Sequence, residues 1–518
     1  MLDLMISGGV VVDGTGAPPT AENVGVTGDR VTWIGPVREQ EAVARRRFEA
    51  SGKIVAPGFI DVHNHSDLVP FVEPWMDSAV RMGCTTMVVG NCGASPWPPS
   101  GEAELEVLTG IAGGSLPRWR SFGEYLDAID DARPAVNVAA LVGHGALRQE
   151  AMGSARRSPT PDELSSMRRM AGEAIEDGAL GISTGLIYPP GMYAETGEIV
   201  AVSAEAARRG GVYASHIRGE GEHLFRAIDE AIEIGRRGEL PAHVSHLKCE
   251  TSLQWGRADD ALARLRAAGV SADQYPYAAW ASSLSSLLPP WAPVEELTSW
   301  LASDRDRLVL AVEWGEPTFQ SSVKGVGWGR IVIESSRDVD AIGRSVADIA
   351  RDRRSAPVDA FFDLLREDSD ATCIGHAMHE DDVRTILADQ DVFVASDASA
   401  MSPEGPLGGF PVHPRNYGTF PRVLGRYVRD ERLIPVEVAV RKMTSLPADR
   451  FGLSGRGRIA EGGYADLVVF DPGTVGDRSD FGAPHEYPAG IELVIVNGRV
   501  AWDGRRAERS GRVLRRGA

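Results

Sequence analysis

Two kinds of hydrophobic patterning divide the chain. Between residues 57 and 458, short apolar runs alternate with stretches of helical period: GFIDVHNH, CTTMVVGNCG, NVAALVGHGALR, GALGISTGLIYPP, GVYASHIR, AHVSHLK, SADQYPYAA and VFVASDAS. Helical candidates such as PDELSSMRRMAGEAIEDG and GEHLFRAIDEAIEIGRRG lie between them. Strand–helix alternation predicts parallel βαβ units, and eight such runs predict a (β/α)8 barrel. The stretch at about 287–370 fits this rhythm poorly and is expected to be an insertion. The two ends read differently. Residues 1–56 and 459–518 hold short Val-rich strands broken by Gly, Asp and Asn, among them ENVGVTGDRVTWIG, ADLVVFDP and IELVIVNGRVAWDG. Each end is too short to bury a sheet face alone, so both are expected to share one small β-sandwich.

The polar residues that carry chemistry stand at the ends of the apolar runs. In a barrel of parallel strands those ends converge on one mouth, where the site is built. The first run ends in His63-Asn64-His65, and residues two apart on a strand share a face, so both imidazoles aim at one point. Cys92 ends the second run between Asn91 and Gly93. As a thiolate it would complete one metal site or bridge two. Cys84 and Cys373 read as buried small hydrophobes. His216 and His246 end the fifth and sixth runs, each after a serine. Asp397 follows the eighth, where a carboxylate can hold a metal and take a proton from bound water. Imidazole, thiolate and carboxylate together are the donors zinc favours. The expected metal residues are therefore His63, His65, Cys92, His216, His246 and Asp397, with Asp397 also catalytic. His144, at the end of the third run, fits a substrate contact or a structural role equally well.

A second set suits a carboxylate. Tyr188, Lys248, Tyr277, Ser283 and Arg415 offer hydroxyl, ammonium and guanidinium donors, and arginine grips carboxylates bidentately. Lys248 lies two beyond His246, which on a continuous strand would put it on the same face.

Composition narrows the partners. A chain of 518 residues with 43% hydrophobic and 25% charged residues is an ordinary globular protein with more than one unit. The net charge of −19 repels phosphate backbones, which argues against nucleic acid. No long uncharged apolar stretch predicts a membrane span, and no basic leader precedes one, so a cytoplasmic setting is expected. Four cysteines without paired spacing argue against a disulfide framework.

These segments resemble the D-aminoacylase (N-acyl-D-amino-acid deacylase) group of the amidohydrolase superfamily. The resemblance runs nearly the full length, through APGFIDVHNHSD, VVGNCGAS, SHIRGEG, SHLK, SSLSSLLPPW, SDAS, HPRNYGTFPRVLGRYVR and GRIAEGGYADLVVFDP. It implies a metal-dependent hydrolase barrel flanked by a β-sandwich, acting on a small N-acyl amino acid. It implies a tightly held zinc on Cys92, His216 and His246, and a weaker position on His63, His65 and Asp397 with Cys92 bridging. Many superfamily members bridge metals with a modified lysine, and here no lysine ends the fourth run. It further implies that Tyr188, Lys248, Tyr277, Ser283 and Arg415 hold the substrate carboxylate. The alternatives are a cyclic amidase of hydantoinase or dihydroorotase type, a dipeptidase, or a non-catalytic scaffold on the same fold. Two stretches depart from the family: Ala279-Trp280-Ala281 after YPY, and the loop ASAMSPEGPLGGFPVHP. With no arginine beside Trp280, a neutral hydrophobic side chain on the substrate is expected.

Overall fold

A computed structural model describes residues 1–36, 43–99 and 116–517. All eight apolar runs are strands: β1 (Phe59–Asp61), β2 (Cys84–Val89), β3 (Asn137–Ala140, resumed at Val142–Gly143), β4 (Gly181–Gly185), β5 (Val212–His216), β6 (Ala242–Val244), β7 (Ser271–Gln274) and β8 (Val392–Val394). Each pairs in parallel with the next in sequence. The ring closes between β1 and β8, where Asp397 donates its amide to His63 O at 2.9 Å and His65 donates to Ala398 O at 2.8 Å. Asp61 fastens the same seam. Its carboxylate accepts from the Ser396 amide at 2.9 Å, the Ser396 hydroxyl at 2.5 Å and Asn64 Nδ2 at 3.0 Å.

The strands are buried on both faces, because helices cover the outside of the ring. Helix 224–238 shows how. Leu224, Ala227, Ile228, Ala231, Ile234 and Gly235 recur at three- and four-residue spacing and form the buried stripe. Helix 161–177 starts on a capping box in which Thr160 and Glu163 satisfy each other's amides, and it stops at Gly178 with φ +120°.

Both chain ends enter one six-stranded sheet, in which Ile54–Pro57 pairs antiparallel with Leu467–Phe470. A four-stranded sheet built from residues 2–49 packs on it through Leu4, Ile6, Val24, Val31, Val469 and Ile495. The last residues leave this sandwich. Arg512 O accepts the Val138 amide at 3.0 Å and Leu514 donates to Val138 O at 2.8 Å, so the C-terminal tail lies along β3.

The excursion between β7 and β8 opens earlier than residue 287. Trp280–Ser283 is already a strand of a three-stranded antiparallel sheet, beside Thr372–Gly375 and Ile331–Ser335. Its helices bury their own core around Leu308, Phe361 and Leu364. Among the described residues no helix is long and apolar enough to cross a membrane.

Candidate metal centre

The six donors meet at the C-terminal mouth of the ring. Cys92 Sγ lies 3.3 Å from His63 Nε2, 3.6 Å from His216 Nδ1 and 3.7 Å from His246 Nε2. His246 Nε2 and His216 Nδ1 are 2.9 Å apart. Asp397 Oδ1 stands 3.1 Å from His65 Nε2 and 3.4 Å from His63 Nε2. Three overlapping trios, His63–His65–Cys92, Cys92–His216–His246 and His63–His246–Asp397, therefore offer clustered donor atoms.

The backbone turns sharply to achieve this. Cys92, His246 and Asp397 have φ of +52°, +36° and +52°, a region that costs residues with a Cβ about 1–2 kcal/mol each. At Cys92 the turn depends on flanking glycines. A Cβ on Gly90 would collide with the Leu141 carbonyl, and one on Gly93 would stand 2.6 Å from the Gly185 amide nitrogen. Ser183 on β4 pins the loop, accepting the Gly93 amide at 3.0 Å and donating to Gly90 O at 2.5 Å.

Two buried carboxylates behind the cluster had no place in the sequence reading. Asp273, on β7, accepts the His246 amide at 2.8 Å, contacts His243 Nε2 at 2.7 Å and lies 3.5 Å from His63 Nδ1. Glu220, four residues past His216, reaches His246 Nδ1 at 3.0 Å and His216 Nε2 at 3.8 Å. Carboxylates of this kind fix the ring orientation and tautomer of ligating histidines. His243 stacks on Phe393 and serves Asp273 from outside the cluster. His144 is likewise structural, bound to Glu198 at 3.0 Å in a buried network with Arg148.

Charge in the cluster is steeply organised. Burial opposes ionisation of Cys92, but His63 and the hydrogen bonds from His216 and His246 outweigh it and hold the thiol well below its usual range. Burial is likewise overcome at Asp397, by Arg415 first and then His63 and His65, which keep the carboxylate ionised. Arg415 Nη1 is 2.8 Å from Asp397 Oδ2.

A cavity of about 600 Å³ opens over the cluster. Tyr188, Lys248 and Arg415 line it, as does Tyr275. Tyr277 does not. Its hydroxyl points to Pro414 O at 3.5 Å, beneath Arg422. The chain reverses between the two tyrosines, the Tyr277 amide donating to Tyr275 O at 3.0 Å. The Tyr275 hydroxyl and Arg415 Nε find no hydrogen-bond partner among the described residues, although both are buried. Ser283 is also displaced from the expected place. Trp280, Ala281 and Ser282 line the cavity and Ser283 does not, and Ser282 Oγ meets the Tyr188 hydroxyl at 3.2 Å. Lys248 lines the cavity by a different route from the one expected: β6 ends at Val244, and the left-handed turn at His246 carries the chain round to Glu220.

The donor set fits zinc. Tetrahedral coordination with bonds of about 2.0–2.3 Å separates donor atoms by about 3.3–3.6 Å. The Cys92–His216 and Cys92–His246 separations of 3.6 and 3.7 Å match, and the 2.9 Å between the histidines needs only a small opening.

The amidohydrolase family pattern matches residues 48–322 and 343–501. A D-aminoacylase of Alcaligenes xylosoxydans xylosoxydans is 39% identical over 100% of this chain and 98% of its own. An N-acyl-D-glutamate deacylase of the same organism is 39% identical over 100% of this chain and 97% of its own. The solved structure of an N-acyl-D-glutamate deacylase from Bordetella bronchiseptica, complexed with zinc and a phosphonate inhibitor, superposes with a TM-score of 0.83 at 37% identity, covering 99% of both chains. Together with the thiolate–histidine–carboxylate mouth of its barrel, these likenesses establish that the chain belongs to the amidohydrolase family, in its D-aminoacylase branch.

Proposed function

We propose that the chain hydrolyses the amide bond of N-acyl-D-amino acids with zinc, releasing a carboxylate and a free D-amino acid. One observation carries this reading: five of the six clustered donors, with His63 buried behind them, line the same cavity as two buried cations, Lys248 and Arg415, which suit a substrate with an amide to cleave and a carboxylate to hold. The names borne by the relatives support it.

Cys92, His216 and His246 would hold the tight zinc; His63, His65 and Asp397, with Cys92 shared, would hold a second, weaker one. Bound zinc lowers the pKa of a coordinated water towards about 7 and polarises the scissile carbonyl. The chain supplies the rest. Asp397, kept ionised by Arg415, takes the proton of the attacking water and returns it to the leaving nitrogen. Arg415, Lys248 and the unpartnered Tyr275 hydroxyl receive the α-carboxylate, with Tyr188 and Ser282 on the facing wall. That anchor fixes one stereoisomer with its amide over the metal donors. A hydantoin ring presents no free carboxylate to this clamp. The four cysteines are all unpaired, which suits a reducing cytoplasm.

A matched panel of N-acetyl-D- and N-acetyl-L-amino acids, read by released amine, tests the proposal. Turnover confined to the D series is expected; cleavage of hydantoins with no N-acetyl-D-amino acid turned over would defeat it.

A further inference from the structure

Resting on that reading, we infer that Glu250 sets side-chain specificity, admitting N-acyl-D-amino acids whose side chains end in a cation, such as lysine or arginine, and rejecting acidic ones.

Glu250 follows Lys248 by two residues and lines the same cavity, 3% exposed. Two neutral donors fix its carboxylate. Trp280 Nε1 donates to Oε1 at 2.9 Å, and Gln320 Nε2 donates to Oε2 at 3.1 Å. The Gln320 amide is itself oriented, because its oxygen accepts the amides of Gly221 at 3.0 Å and His223 at 3.2 Å. Trp280 and Gln320 both belong to the excursion between β7 and β8, so this part of the wall comes from outside the ring.

Among the described residues, Glu250 differs from the other carboxylates of the cavity in having no cation in direct contact. Three carboxylates line the cavity: Asp397, Glu220 and Glu250. Arg415 answers Asp397 at 2.8 Å, and Lys248 answers Glu220 at 2.6 Å. Arg218, also on the wall, is taken by both oxygens of Glu230 at 2.9 Å and donates to Met192 O and Ala194 O. Among the described residues Glu250 is touched by neutral donors only, and Lys248, already paired with Glu220, acts on it from a distance. Its carboxyl is pushed up to about 7 by burial, then by the charge of Glu220, against a hydrogen bond from Ser322, the charge of Lys248 and a hydrogen bond from Trp280. A substrate α-carboxylate on Arg415 and Lys248 adds a further negative charge. A carboxylate offers about four acceptor sites, so Glu250 keeps room for another donor. An ammonium or guanidinium at the end of a D-side chain supplies a cation in direct contact. The carboxylate of N-acyl-D-glutamate would face a buried like charge, which costs several kcal/mol in comparable interfaces.

The test uses the full-length, zinc-loaded enzyme and compares kcat/KM for N-acetyl-D-lysine, N-acetyl-D-arginine, N-acetyl-D-leucine and N-acetyl-D-glutamate. The wild type is expected to favour lysine or arginine over glutamate by about 100-fold or more, the size of a desolvated charge pair. Glu250→Gln keeps the shape and the acceptor for Trp280, and it is expected to lower the lysine-to-leucine ratio about tenfold or more, mainly through KM. A wild type that prefers glutamate to lysine, or a lysine-to-leucine ratio unmoved by Glu250→Gln, overturns the assignment. Failure to cleave any of the four would instead sink the deacylase reading on which it rests.

Discussion

Glu220 Oε1 lies 2.6 Å from Lys248 Nζ, so the cation that faces the substrate is already held by an acid that also touches two candidate zinc histidines. The proposed substrate clamp and the candidate metal donors thus share one buried carboxylate. Glu220→Gln is expected to weaken zinc binding about 10–100-fold, the usual effect of losing a partner behind a ligand. Chelator competition measures this, and an unchanged affinity would confine Glu220 to neutralising Lys248.

The proposed tight and weak metal positions should separate by mutation. Cys92→Ala removes the donor common to both and is expected to leave well under one zinc per chain. His65→Ala touches only the outer trio, and one zinc should remain. Metal content by atomic absorption decides; equal loss in both variants would argue for a single, undivided site.

Asp397→Asn keeps the size of the side chain and removes the base. With zinc retained on Cys92, His216 and His246, kcat should fall about 10²–10⁴-fold, the range of general acid–base catalysis. Activity within a few-fold of wild type would assign the proton to another group.

The two tyrosines of the DQYPY segment should behave oppositely. Tyr275→Phe removes a cavity hydroxyl and is expected to raise KM about tenfold with Tm unchanged. Tyr277→Phe removes a contact to Pro414 O and should cost about 1 kcal/mol of stability with kinetics unchanged. Steady-state kinetics and thermal melts on both variants give the answer, and the reverse pattern would restore Tyr277 to the clamp.

Glu334, in the excursion, has its carboxyl pushed up to about 7 by burial, against a hydrogen bond from Thr372 and the charge of Arg415. The folded state therefore binds more protons than the unfolded one between pH about 4.5 and 7, and stability falls as pH rises through that window. Glu334→Gln should flatten this slope. Urea midpoints at pH 5, 6 and 7.5 test it, and parallel profiles for the two proteins would contradict it.

The ring was legible in the chain because parallel strands buried on both faces must be apolar along their length. The six candidate donors could be singled out, and their meeting at one mouth expected, because they interrupt those runs at one end. What escaped depended on where strands stop. The parity argument for Lys248 assumed continuous extended backbone, whereas the structure turns at His246; Tyr277 and Ser283 were singled out by their donor groups and the resemblance, and the turn between Tyr275 and Tyr277 and the course of the chain after Ser282 leave both off the cavity lining. Asp273 carried a usable signal, since an acid in the middle of a short buried strand needs a partner. Glu220 offered only its spacing from His216, and its loop folds back through contacts distant in sequence. The C-terminal tail was assigned to the sandwich, because nothing in GRVLRR records a return to β3.

The left-handed backbone at Cys92, His246 and Asp397 bears on how the enzyme acquires its metal. Protein groups alone brace these turns: Gly90, Gly93 and Ser183 at Cys92, and Asp273 at the His246 amide. Zinc is therefore expected to bind turns already fixed by main-chain contacts rather than to order a loose chain. Unlike small domains that exist only when metallated, the apoprotein should stand as a folded, receptive vessel. Ions that demand a different arrangement of donors would have to deform three pinned segments of main chain to enter.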